Sequence, residues 1–112
     1  MVKVAIIDYQ GPKSVHAGKL YAKLLIEEGY EITFAKELSE LSDPEKFDVI
    51  LIHPGAKKQK ECIEFAKTHP KIKTAIVSPV PDDYPDEEIP VLSYKSYRII
   101  PFIEGIPYKT FK

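Results

Sequence analysis

Short runs of apolar, largely β-branched residues recur along the chain, and they constrain its fold more than any other feature. The clearest are residues 2–7 and 47–53, which stay apolar through their middle instead of alternating with polar residues. A strand that is apolar on both faces is typical of a parallel sheet covered by helices on both sides. The runs therefore predict a parallel sheet with two buried faces.

Two segments with helical periodicity lie between these runs. Residues 15–28 return an apolar side chain to the same side of a helix at each turn, and Gly29 follows as a helix-ending residue. Residues 57–69 predict a second helix, in which Cys62 faces inward as a small core residue. The inward stripe of the first helix consists of Val15, Gly18, Ala22 and Leu25.

Further strands are predicted at residues 30–35, 74–78 and 91–94. Strands that alternate with helices form right-handed βαβ units, which assemble into one twisted parallel sheet. We therefore predict a three-layer α/β/α fold with a five-stranded parallel sheet in the order 2-1-3-4-5. A chain of 112 residues has the length of one domain, so residues 1–112 are assigned to a single domain.

The last third of the chain lacks good sequences for the fourth and fifth helices. Four prolines interrupt residues 79–90, and Pro101, Gly105 and Pro107 interrupt the apolar segment after residue 95. We expect both helices to be reduced and residues 96–112 to form an irregular apolar tail, of which residues 96–106 pack as a short or irregular segment beside the first helix. Its leftover aromatic surface predicts a self-association interface and a homodimer, with Tyr97, Ile99, Phe102, Tyr108 and Phe111 as candidate contacts.

Composition excludes several classes of function. Lys and Arg number 16 against 17 for Asp and Glu, a balance that predicts no binding of nucleic acid and no attraction to an anionic membrane. A single cysteine permits no disulfide within the chain, and no Cys/His spacing fits a zinc site. No apolar stretch reaches the roughly 20 residues that span a bilayer. A cytoplasmic protein is expected, and its many Lys, Glu and Ile residues are typical of thermophiles.

Candidate site residues follow from the predicted sheet. In open α/β sheets, ligands bind at the carboxyl ends of the strands. The polar residues expected at those ends are Asp8, Tyr9, His53, Ser78 and Lys95. His53 has two interpretations, since a histidine at a strand end either takes part in a site or only forms a hydrogen bond with a loop.

Residues 23–35 and 47–52 resemble the first helix, second strand and third strand of response-regulator receiver domains, which have a flavodoxin-like fold. The resemblance covers roughly residues 3–95. It implies acidic Mg²⁺ ligands after the first strand, a phosphoacceptor Asp after the third, Ser or Thr after the fourth and Lys after the fifth. Asp8, Ser78 and Lys95 match this pattern. Tyr9 and His53 depart from it, because they stand where a second acid and the acceptor are expected.

The departure at residue 53 implies a receiver-like domain that has lost its phosphorylation switch. Formation of an aspartyl phosphate needs a carboxylate, and Mg²⁺ prefers a cluster of oxygen ligands. The expected function is therefore a non-catalytic regulatory or protein-interaction module without a cofactor or a metal.

A second resemblance supplies the alternative. Residues 5–9 with Ser14 and Val15, and the His-Pro-Gly run at 53–55, are similar to class I glutamine amidotransferase domains. That family uses a nucleophilic Cys after the fourth strand and a downstream His-Glu pair, whereas residues 74–79 contain no Cys and no His follows His69. The alternative is thus a degenerate relative of these enzymes, or a small-ligand-binding domain with its site at the strand ends.

Overall fold

The fold is a single parallel sheet with helices packed on both faces. The computed structural model describes residues 2–8, 22–53, 59–78, 89–93 and 96–105. All strand pairs are parallel and their order is β2-β1-β3-β4-β5, which confirms the predicted architecture. The strands are β1 (Lys3–Ile7), β2 (Glu31–Ala35), β3 (Val49–Ile52), β4 (Lys73–Ser78) and β5 (Val91–Ser93). The helices are α1 (Ala22–Glu27), α2 (Gln59–Thr68) and α3 (Ser96–Glu104), with single 3-10 turns at Leu38–Glu40 and Pro44–Lys46.

The sheet divides the core into two clusters, and side chains alternate between them along each strand. On one face, which we call the α1–α3 face, Val4 and Ile6 of β1 pack with Leu25 and Ile99. On the other, the α2 face, Ala5 and Ile7 pack with Cys62 of α2. All residues of the central strand β3 are buried, as the continuous apolar run predicts.

Helix α1 ends in a Schellman motif. Gly29 has a φ of +94°, its N–H donates to Ile26 O at 3.0 Å, and Tyr30 N–H donates to Leu25 O at 3.2 Å. A left-handed residue at this position favours glycine, so the predicted stop at Gly29 is confirmed. Within the described part of the helix, Ala22 and Leu25 are buried as predicted. The predicted core residues Val15 and Gly18 lie outside the described residues.

Residues 96–104 form the short, regular helix α3 with Pro101 in its interior, so the short form predicted for this segment is found and the irregular form is wrong. Ile99 and Ile103 lie one turn apart and are both buried on the α1–α3 face, beside α1 as predicted. Burial of Ile99 and Ile103 stabilises the helix by more than the missing N–H of Pro101 costs.

The carboxyl end of α3 is held by residues from two other elements. Lys73 Nζ donates to Ile103 O, and the Tyr30 hydroxyl donates to Glu104 Oε1 at 3.1 Å. Gly105, with a φ of +78°, then ends the helix. These contacts hold the carboxyl end of α3 at the end of the sheet where β2 and β4 begin. The amino end of α3 therefore points towards the carboxyl ends of the strands. Residues 79–88 and 106–112 lie outside the described part of the chain.

Candidate functional site

Asp8 and His53 lie side by side at the carboxyl ends of the central strands β1 and β3. Ile7 and Ile52 are register partners, and each candidate follows one of them directly. The sheet hydrogen bonding continues through both residues, because Asp8 N–H donates to Ala35 O at 2.9 Å and His53 N–H donates to Ile7 O at 2.8 Å. Chain connections leave β1 and β3 in opposite directions along the sheet, so this pair lies at the topological switch point.

The environment of the two side chains differs. Asp8 is completely buried, with 0% of its surface exposed, whereas His53 is partly exposed. A buried carboxylate must exchange its hydration for protein hydrogen bonds or for a ligand. The carboxylate of Asp8 thus lies beneath the strand ends, and the imidazole of His53 lies beside it nearer to solvent.

The pleat of the sheet separates Ser78 from this pair. Asp8 has the same parity as Val4 and Ile6, so it belongs to the α1–α3 face, and His53 belongs to the same face because it shares the parity of Leu51. Ser78, the last residue of β4, shares the parity of Ile76 and faces α2. The structure therefore brings Asp8 and His53 together and places Ser78 on the opposite face.

Ser93 is a polar strand-end residue that the sequence argument missed. It is the register partner of Ser78 at the end of β5, and it is partly buried. The two hydroxyl-bearing residues face α2 together. The available signal was the serine itself, because a polar residue after the apolar pair Val91 and Leu92 marks the end of the strand.

Several of the predicted site and interface residues cannot be placed by the described part of the structure. Tyr9, Lys95, Tyr108 and Phe111 lie outside the described residues, and the structure places the backbone of Tyr97 in α3 without describing its side chain.

Ile99 is a correction to the predicted interface, because it is 0% exposed and belongs to the core of its own chain. Phe102 is partly buried and packs against the same cluster. Of the candidate interface residues whose side chains the structure describes, one is therefore core and the other is partly buried.

The environment of Cys62 disfavours the reactive thiolate. Its side chain is buried on the α2 face, and burial together with the nearby Glu61 carboxylate raises the pKa of the thiol to about 11. A thiol with so high a pKa is almost entirely protonated near neutral pH, and only the thiolate reacts efficiently. The predicted role of Cys62 as a small core residue is confirmed.

The Asp8–His53 pair offers one carboxylate and one imidazole. Across the described ranges, no three His, Cys, Asp or Glu side chains converge on one point where a metal ion would sit. An imidazole beside one carboxylate offers both a donor and an acceptor. The pair can orient a polar group or bind a partner, but His53 provides no carboxylate for an aspartyl phosphate.

No protein-family model, no curated protein and no solved structure matches the chain. Within the described residues, none of the helices is both long and apolar enough to cross a membrane. The residues at the strand ends are therefore the basis for assigning a function.

Proposed function

We propose that this chain is a non-catalytic regulatory or protein-interaction module of the cytoplasm. It has a receiver-like architecture and is not switched by phosphorylation of an aspartate. The observation that carries this proposal is the position of His53, which ends the central strand β3 directly beside buried Asp8. This is the place where the receiver resemblance requires a carboxylate acceptor.

The chemistry of the neighbouring groups supports the same conclusion. One buried carboxylate beside an imidazole is a poor site for Mg²⁺, which prefers several oxygen ligands in octahedral geometry. Ser78 lies on the opposite face from Asp8 and His53, and the buried Cys62 thiol has a pKa of about 11. A domain with this site acts through the partner that it binds and needs no cofactor.

Incubation with acetyl phosphate and Mg²⁺, followed by intact-mass measurement, tests the proposal. We expect the mass of the wild-type chain to remain unchanged while a working receiver domain in the same reaction gains a phosphoryl group. An acid-stable, base-labile adduct on an aspartate would contradict the proposal, and D8N would then show whether Asp8 carries it. An acid-labile adduct that H53Q loses and the control H69Q retains would contradict it as well, because His53 would then be an acceptor.

Asp8 favours one second candidate, a small-ligand site at the strand ends. A completely buried carboxylate at the switch point between β1 and β3 lies where open α/β sheets bind their ligands. Its complement is a small molecule with an amine, amide or hydroxyl donor. Under this alternative, a panel that includes L-glutamine, amines and polyols contains a compound that raises the melting temperature, and D8N abolishes that shift. Under the main proposal, any change in melting temperature that a compound causes is the same in the wild type and in D8N, because polyols also stabilise proteins without binding them.

A further inference from the structure

The two edges of the sheet differ in how well they resist pairing with another strand. Edge strand β5 has only the residues Val91–Ser93, and Pro90 before it lacks an N–H. Short strands and prolines are common protections of a sheet edge. Edge strand β2, Glu31–Ala35, is longer and contains no proline. In the described part of the chain, no strand pairs with its outer side.

The hydrogen bonds of β2 show which backbone groups point outward. Glu31 N–H donates to Val2 O, and Ala35 O accepts from Asp8 N–H, so Glu31 and Ala35 point towards β1. Because backbone groups alternate in direction along a strand, the N–H and C=O groups of Ile32 and Phe34 point away from the sheet.

The outward backbone N–H groups on either side of Ile32 and Phe34 already have acceptors. Tyr30 N–H bonds to Leu25 O, and Lys36 N–H bonds to Glu40 Oε1 at 2.6 Å. The edge available for pairing is thus limited to Ile32 and Phe34, with Thr33 between them.

We propose that β2 pairs antiparallel with β2 of a second copy of this chain, around a two-fold axis at Thr33. In this register, Ile32 faces Phe34 of the second copy, so every outward N–H and C=O group of these two residues meets a partner. A shift of two residues in either direction would use the N–H of Tyr30 or of Lys36, and both already have acceptors. A shift of one residue would place side chains of the α1–α3 face of one copy beside side chains of the α2 face of the other.

The side chains fit the same register. Ile32 and Phe34 lie on the α1–α3 face and are only partly buried, so the pairing adds aromatic–aliphatic contacts on this face. Thr33 is exposed on the other face and meets its own copy at the axis, a favourable Thr–Thr pair. The strand is therefore complementary to itself, which favours a second copy over an unrelated peptide.

Helix α1 adds apolar surface next to this edge. Leu24 and Ile26 are 40% and 55% exposed. They lie on opposite flanks of the helix, each about 100° from the buried Leu25. Helix α3 packs on one flank of α1 and contacts β5, so the other flank faces the β2 edge. One of the two side chains thus lies towards the second copy. The interface is small, so the dimer should be weak and concentration-dependent.

Sedimentation equilibrium over a range of micromolar to submillimolar concentrations tests the dimer, with circular dichroism to confirm folding of each variant. We expect the wild-type chain to dimerise and both T33K and T33E to be monomeric, because like charges then meet at the axis. An equimolar mixture of T33K and T33E should dimerise again, since opposite charges meet. The control S42K changes an exposed residue away from β2 and should dimerise like the wild type. A monomeric wild type, or a T33K dimer as stable as the S42K dimer, would overturn the proposal.

A disulfide tests the register itself. Thr33 is a non-hydrogen-bonded pair with its own copy in the proposed register, with Cα atoms about 4.5 Å apart, a separation that a disulfide can bridge. Under mild oxidation, T33C should form a covalent dimer, whereas S42C should not. Cys62 is buried and does not compete. Equal crosslinking of the two variants would overturn the register. The dimer and the phosphorylation assay have separate readouts, so either proposal can fail alone.

Discussion

Replacing Ile99 by alanine should destabilise the protein strongly, because this side chain joins α3 to the core. Ile99 is 0% exposed and packs in the same cluster as Leu25 of α1 and Leu92 of β5. The change removes three side-chain carbons, and at about 0.8 kcal/mol for each the lost burial is about 2.4 kcal/mol. The cavity left behind adds to this, so the free energy of unfolding should fall by about 2–5 kcal/mol.

Two other variants separate burial from helix propensity. I99V removes only one carbon and should cost about 0.5–1.5 kcal/mol. I26A makes the same chemical change as I99A on a side chain that is 55% exposed. It should change the free energy of unfolding by no more than about 0.5 kcal/mol.

Urea denaturation followed by circular dichroism measures these differences. With an m-value of about 1–3 kcal/mol per molar urea, a loss of about 3 kcal/mol moves the midpoint by roughly 1 M or more. All variants are compared at one protein concentration, because a dimer makes apparent stability concentration-dependent. If I99A costs no more than I26A, α3 does not pack on the core as described and the reasoning fails.

Two further predictions concern a glycine and the buried thiol. Alanine at Gly29 should cost about 1–2 kcal/mol from backbone strain alone; its φ is +94° and the new Cβ meets no atom within 4 Å. Asparagine there should cost less, and equal losses for G29A and G29N in the urea assay would refute the strain argument. The pKa of Cys62 rises from 9.0 in the unfolded chain to about 11 in the fold, so the unfolded state loses this proton first as pH increases. Stability should therefore fall between about pH 9 and pH 11 by up to roughly 3 kcal/mol, and C62A should reduce that slope.

The sheet could be predicted because its signals are local. The runs that became β1 and β3 are apolar on both faces, and only a sheet covered on both sides buries such strands. The order of the strands then follows from right-handed crossovers and the resemblance to receiver domains. The positions of the strand ends could also be predicted, because a polar residue or a proline follows each apolar run.

Helix α3 could not be predicted because its stability comes from distant residues. Local sequence favours an irregular segment, since Pro101 removes a backbone donor and clashes with the preceding turn. Lys73 and Tyr30 secure the carboxyl end of the helix, and Ile99 fills a core built mainly by strands. The apolar tail was interpreted as surface left over for an interface. Of its described side chains, Ile99 and Ile103 belong to the core and Phe102 is partly buried against the same cluster.

The division of the candidate site between two faces depends on register, which the sequence did not reveal. Every candidate was expected at a strand end, but the pleat sends neighbouring residues to opposite faces, so one residue decides where a side chain lies. Asp8 and His53 belong to the α1–α3 face, whereas Ser78 and Ser93 belong to the α2 face. A ligand that contacts both pairs must therefore lie above the strand ends and not against either face. A ligand confined to the Asp8–His53 side should be insensitive to S78A, and this separates the two arrangements.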